Sequence, residues 1–326
     1  MISRRVLASL TAAAALPPAG PARAAIPAWT IATEYPPTSL PGEGIAAFAA
    51  AASGSGALAV TAAYNAPDGL RSAAMPAAVA EGRLAAADAF TGQLATAMPL
   101  LGIFVLPFLT TSAADAWKLW SLARGRVDAL LAARKLHLLY ATPWPPAGIW
   151  SRQPVTTPAD LAGLRLRTFD QASTTTFRSA GAAAEAISFA DALPRLRAGD
   201  LDAVLSSGDG GAGARLWEVL PNFTPLDWAW PLSLAFCGRE ALAALEEPAR
   251  QAVLGAAGET EGRQWRAMDT RLEENATRMA ASGVAVQTPG PALDAVLRTA
   301  AAPVVDAWAA AAGAEGAALL AAARGR

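Results

Sequence analysis

The sequence predicts an α/β protein built as two lobes. Segments of strand and helix character alternate from Trp29 onward, and 326 residues are enough for two lobes with separate cores. A proline cluster at Pro143, Pro145 and Pro146 breaks the alternation near mid-chain. In order, Trp29–Thr33 reads as strand, Gly44–Ala52 as helix, Leu58–Ala63 as strand, Leu70–Glu81 as helix and Ala85–Phe90 as strand, with turn residues between them. Ala113–Arg134 reads as helix because Trp117, Trp120 and Leu122 lie near one face that Val127, Leu130 and Leu131 continue. Leu136–Ala141 is the next strand, after which the prolines lead into Gly148-Ile-Trp-Ser-Arg152, where the chain is expected to cross between lobes.

Beyond the crossing come a strand ending at Arg167, a helix over Ser188–Ala198 and a strand over Leu201–Leu205. Gly208, Gly210, Gly211 and Gly213 follow. They lack the Lys-Ser/Thr of a phosphate loop and the Gly-x-Gly-x-x-Gly placement of a dinucleotide fold, so they read as a flexible connection. Trp228–Phe236 is the return strand, and a long helix runs from Leu245 to about Met279.

The first residues read as an export signal. Met1-Ile-Ser-Arg-Arg-Val-Leu7 is a basic n-region, an alanine-rich apolar stretch runs to Leu16, and Ala22-Arg23-Ala24 is an A-x-A cleavage site, so residues 1–24 are expected to be removed in the periplasm. Arg4 and Arg5 suit either a twin-arginine or an ordinary secretory n-region.

Composition excludes several function classes. A net charge of −1, from 26 basic and 27 acidic residues, offers no broad field to nucleic acid or an anionic membrane. After the signal the longest apolar run, Ala97–Leu109, is interrupted by Pro99 and Pro107 and is too short to span a bilayer, so no membrane insertion of the mature chain is expected. One cysteine, Cys237, and one histidine, His137, cannot make a zinc site. His137 between Leu136 and Leu138 reads as structural, Ser206-Ser207-Gly208 lacks the first glycine of a nucleophile elbow, and Glu246-Glu247 and Glu273-Glu274 read as solvated helix faces. Neither an enzyme nor a cofactor is predicted.

What the chain does supply is an arginine placed for a guest. Leu164 and Leu166 alternate with Arg165 and Arg167 at the period of a strand, so the guanidinium groups leave the sheet opposite the leucines. Arg167 has no acid beside it in sequence, and arginine offers a carboxylate two parallel charge-assisted hydrogen bonds. Asp160–Arg167 fits Asp-Leu-x-Gly-Leu-x-hydrophobic-Arg, and Phe189–Asp202 fits aromatic-x-acidic-x-x-x-x-Leu-x-x-Gly-x-hydrophobic-Asp. Together these runs resemble the solute-binding proteins of tripartite ATP-independent periplasmic (TRAP) transporters, and the likeness extends from Trp29–Thr33 through Leu106-Pro-Phe108.

That resemblance implies the two-lobed periplasmic binding protein fold, with a hinge between lobes, a long helix bracing both, a small organic acid as ligand and membrane permease subunits as partners. It divides the mature chain into a first lobe of 25–144 plus about 233–272 and a second of about 145–232 plus 273–326. Arg167 becomes the carboxylate anchor, and Phe90, Trp150, Phe169, Asp170, Phe189, Ser206, Trp228 and Trp230 are the other expected ligand-binding residues. Sialic-acid-binding relatives carry a second arginine where this chain has Pro146-Ala147-Gly148, an acidic contact where it has Phe90, and an asparagine where it has Ser206. The ligand is therefore expected to be more apolar. A periplasmic sensor on the same fold and an exported hydrolase are the alternatives.

Overall fold

The protein is described by a computed structural model over residues 26–325, so the expected signal segment lies outside the described residues. The first lobe is laid down as β1 (Ala28–Thr33), α1 (Leu40–Ser53), β2 (Ala59–Ala63), α2 (Met75–Ala80), β3 (Ala86–Phe90), α3 (Thr91–Leu94), α4 (Ala113–Ala132) and β4 (Leu136–Pro143). The chain then crosses and builds β5 (Ala147–Ser151), β6 (Arg165–Thr168), α5 (Gln171–Ser179), β7 (Ala183–Ala186), α6 (Phe189–Ala198), β8 (Ala203–Ser207), α7 (Gly208–Gly213) and β9 (Asn222–Pro225). It returns through β10 (Leu232–Gly238), α8 (Arg239–Ala243), α9 (Glu247–Ala281), β11 (Ala285–Val286), α10 (Pro291–Ala311) and α11 (Gly313–Ala323).

Each lobe centres on one sheet, ordered β2-β1-β3-β10-β4 in the first and β11-β9-β5-β8-β6-β7 in the second. The strand that follows a crossing is antiparallel to its neighbours: β10 between β3 and β4, and β5 between β8 and β9. The two crossing segments also pair with each other, the Trp144 N–H donating to Pro231 O at 2.8 Å and the Trp228 N–H to Ala147 O at 3.2 Å. The first crossing thus runs through Trp144–Pro146, ahead of the expected Gly148–Arg152, of which Gly148–Ser151 already lie in β5.

The long helix spans both lobes. Its 35 residues reach about 50 Å at 1.5 Å per residue, with Val253 in the core against β1 and β10 and Met279 in the core of the second lobe. Pro248 in its first turn starts it without loss of an intrahelical hydrogen bond. Arg271 ties it sideways, donating from Nε to Asp209 of α7 at 2.6 Å and from Nη2 to Glu43 of α1 at 2.7 Å.

Three segments differ from expectation. The helix expected over Leu70–Glu81 forms only at Met75–Ala80, because left-handed backbone at Asn65, Ala66 and Asp68 leads into 3₁₀ turns. The glycine-rich connection is instead the short buried helix α7, capped by Ser207, whose Oγ accepts the Gly210 N–H at 3.0 Å. A Cβ on Gly211 would lie 2.1 Å from the Trp150 indole, so close packing, not flexibility, calls for glycine there. The C-terminal helices do not stay in the second lobe: Leu293 and Leu297 of α10 join its core, whereas Val305 of α10 and Leu319 and Leu320 of α11 join that of the first.

Candidate functional site

Arg167 sits on β6 where that strand points into the seam between the lobes, 3% exposed. Leu166 turns the other way into the core, as the strand period requires. Two backbone carbonyls fix the guanidinium: Nε donates to Ile187 O at 2.8 Å and Nη1 to Leu205 O at 3.0 Å. The Phe189 ring lies over it, 5.5 Å from the guanidinium carbon to the ring centre. No carboxylate among the described residues lies within the 4.0 Å of an ion pair. Burial lowers the Arg167 pKa, with Tyr35, Glu34 and Asp170 pulling the other way, yet arginine stays protonated in proteins. A buried cation answered only by carbonyl dipoles is under-compensated, and an anion placed against it would be strongly held.

Arg165, two residues earlier, is spent internally: Nε and Nη2 fork onto Asp202 at 2.7 and 2.5 Å, with the side chain half exposed. The Asp202 that completes the sequence motif is thus the partner of Arg165, which leaves Arg167 unclaimed.

The wall around Arg167 is aromatic. Tyr35, Phe90, Trp144, Phe169 and Phe189 line one cavity with Leu205, Ser206, Ser207, Gly210 and Pro231. The rings meet at steep angles, with centres 4.8 Å apart for Tyr35 and Trp144 and 5.3 Å for Phe90 and Phe169. The space is tight, a cavity of about 30 Å³. That is room for about two waters. An organic acid therefore enters only if the lobes part or the rings yield.

Of the expected site residues, Arg167, Phe90, Phe169, Phe189 and Ser206 line this cavity, and the other four do not. Trp150, on β5, is fully buried, its Nε1 donating to Ser207 O at 3.1 Å. Trp228 is in the core, stacked on Phe177 with ring centres 5.0 Å apart. Trp230 packs with Leu40, Ala116 and Met268 in a separate cluster. Asp170 caps α5, accepting the Ser173 N–H at 2.7 Å, and burial pushes it up to about 6.

Tyr35, Trp144 and Ser207 were not anticipated. Tyr35 follows the C-terminal end of β1 by two residues, and the carboxyl ends of strands in open α/β sheets are where ligands bind. That rule, applied to the predicted strand Trp29–Thr33, would have found it. Trp144 stands among the hinge prolines, its Nε1 donating to Ser233 Oγ at 3.0 Å. Burial first, then the Glu34 charge, raises the Tyr35 phenol well above its ordinary value, so the hydroxyl stays neutral and able to donate.

Cys237 is buried on β10, its thiol pushed up to about 12 by burial. His137 lines a separate groove with Arg124 and Asp128. Among the described residues no group of three or more His, Cys, Asp or Glu could hold a metal ion, and no helix is long and apolar enough to cross a membrane.

A buried cation at the floor of an aromatic cavity between hinged lobes defines a solute-binding receptor. The family model for bacterial extracellular solute-binding protein, family 7, matches residues 31–311, and the chain belongs to that family. Among solved structures it is similar to DctP7, a Bordetella pertussis extracytoplasmic solute receptor binding pyroglutamic acid, at 27% identity and TM-score 0.86, covering 91% of this chain and 99% of that one. It is similar at 28% identity and TM-score 0.85 to a marine-metagenome TRAP solute-binding protein specific for pyroglutamate, covering 92% of this chain and 99% of that one. The galactonate-bound sugar acid binding protein DctPAm of Advenella mimigardefordensis shares the fold at 20% identity and TM-score 0.84, covering 91% of this chain and 97% of that one. No curated protein matches the chain. The protein is thus an extracytoplasmic, periplasmic solute receptor of the TRAP type, as the sequence resemblance implies.

Proposed function

We propose that this receptor binds a compact organic monocarboxylate, pyroglutamate being the first candidate, and hands it without turnover to the membrane subunits of a TRAP permease. The observation that carries this is Arg167, a nearly fully buried cation with two carbonyl anchors and no acidic partner within 4.0 Å among the described residues, facing a cavity of rings. The ligand carboxylate takes the guanidinium edge, and the neutral Tyr35 hydroxyl donates to it as a second partner. Ser206 and Ser207 are the polar groups available to the far end of the ligand, and five rings cover the rest. So few polar partners favour a small, flat, weakly polar body over a polyhydroxy acid, whose hydroxyls would be buried unpaired. The pyroglutamate named for two of the solved relatives supports the same ligand class.

The test is calorimetry of the mature protein against pyroglutamate, other small monocarboxylates and sugar acids, with the solutions analysed for product afterwards. Binding of a small monocarboxylate with full ligand recovery is expected. Preference for a sugar acid, or conversion of the ligand, would overturn the reading.

A further inference from the structure

Glu34 follows β1 and is 2% exposed, yet it has no cationic partner among the ion pairs of the described residues. Its two oxygens are divided between the lobes. Oε2 accepts the backbone N–H of Ser72 in the first lobe at 2.7 Å, and Oε1 accepts that of Phe189 in the second at 3.1 Å. Both partners belong to the cavity's construction: the Ser72 hydroxyl accepts the Phe90 N–H at 3.3 Å, and Phe189 opens α6 while its ring covers Arg167.

One other buried carboxylate accepts a hydrogen bond across the lobes, Asp209 of α7 taking the Leu40 N–H at 2.9 Å, but it is paired with Arg271, and the remaining polar contacts near the cavity differ in kind. Arg71 pairs with Asp191 at 2.5 Å, but with side chains 29% and 49% exposed, so water replaces either partner cheaply. Gln93 donates to Phe169 O at 2.6 Å as a neutral pair. Glu34 is a buried carboxylate whose hydrogen bonds are charge-assisted and come from both lobes, one from the first turn of a ten-residue helix, where the helix dipole also favours a negative charge. Parting the lobes removes the Phe189 bond, while the Phe189 ring stays with Arg167, since α6 and β6 both belong to the second lobe.

We propose that Glu34 is a closure clasp: a positioning residue that, once the lobes meet over a ligand, holds Phe189, and with it the Arg167 side of the cavity, against the first lobe and slows release of the ligand. This rests on the cavity being the ligand site. The clasp acts on dissociation more than association, because the Phe189 bond exists only where the lobes have already met.

The experiment measures release of pyroglutamate by stopped-flow fluorescence, together with the interlobe distance from one fluorophore on each lobe, in wild type and Glu34→Gln. The amide keeps the shape but loses the charge and sets an NH₂ group against one of the two N–H donors. Release about tenfold faster, an unchanged association rate and a longer mean interlobe distance are expected, with Arg71→Ala near wild type. A folded Glu34→Gln protein with wild-type release and distance would overturn the clasp. Should Glu34→Gln not fold, Phe189→Pro against Phe189→Ala isolates the same bond: both lose the ring, only proline loses the N–H, and proline is tolerated in the first helical turn. Faster release from the proline variant supports the clasp, and equal rates overturn it. If pyroglutamate does not bind, the ligand assignment fails by itself. The interlobe distances of the same variants without ligand then decide the clasp, equal distances overturning it.

Discussion

Arg165 and Arg167 leave the same face of β6, and only the first has a carboxylate: the Arg165 fork closes on Asp202 at 2.5 and 2.7 Å, while Arg167 reaches two backbone carbonyls. Substituting each in turn separates a structural ion pair from a ligand anchor. Arg167→Ala should lose about 2–5 kcal/mol of ligand affinity, roughly thirtyfold to several-thousandfold, by the cost of leaving a buried carboxylate unpaired. Arg167→Lys should also bind poorly, since an ammonium cannot supply the planar fork. Arg165→Ala should bind within a few-fold of wild type and melt close to it, because its pair is solvent-screened. Calorimetry and thermal melts of the three variants read both quantities.

The ring that reports ligand should be Trp144. It lines the cavity against Tyr35, whereas Trp150, Trp228 and Trp230 lie away from it. Ligand-induced change in intrinsic fluorescence should be greatly reduced in Trp144→Phe. Trp228→Ala should instead destabilise the fold by about 3–5 kcal/mol as a core truncation. Tyr35→Phe, which keeps the ring and removes the donor, should weaken binding about tenfold with little change in the melt.

The alternating element order, a break at the prolines, the bracing helix and the placement of Arg167 without an acidic partner were legible because each has a local signature: period, proline, length, and a motif spanning Asp160–Arg167. The tryptophans were not, since a ring at a lobe crossing satisfies the same local pattern whether it turns into the cleft or into the core. Trp228 and Trp230 stand two positions apart on the irregular crossing segment before β10, and they pack into different clusters, neither of them the cavity. Tyr35 and Glu34 lie just past a strand in a sequence with no periodicity, and their importance arises from Arg167 and Phe189, more than 130 positions away, as the separation of 155 between Glu34 and Phe189 illustrates. Long-range pairing of this kind leaves no mark on one sequence.

Gly211 tests why the second lobe carries four glycines within six residues, Gly208 to Gly213. In α7 an added Cβ would meet the Trp150 indole at 2.1 to 2.3 Å, far inside van der Waals contact, and Trp150 is itself fully buried. Gly211→Ala should therefore destabilise by about 1–3 kcal/mol, as overpacking does. Gly255→Ala in α9, where a Cβ meets nothing within 4 Å, should stabilise by a few tenths to about 1 kcal/mol. A flexible connection would give no loss for Gly211→Ala, so urea melts of the two variants distinguish the cases.

Asp88 gives the pH dependence. It is fully buried on β3 beside Thr33 and Ser233, its Oδ2 has no partner among the described residues, and burial pushes its pKa up from 3.8 to about 7, with the nearby Glu34 charge adding to the rise. Between these two values the folded state holds a proton that the unfolded state has released, so stability falls as pH rises. The contribution is fully present below about pH 4, is lost progressively up to about pH 7 and is flat above; three units at 1.36 kcal/mol each put its size at about 4 kcal/mol. The depressed carboxylates Asp191 and Asp202 change in the opposite sense at lower pH, held down by Arg71 and Arg165. The clean observable is thus the stability difference between wild type and Asp88→Asn. Asparagine, neutral at every pH, should gain on wild type as pH goes from 4 to 8, with the gain levelling above about 7. Urea unfolding of both proteins at half-unit pH steps measures it, and a difference that stays constant across that range would mean that Asp88 is ionised in the fold throughout.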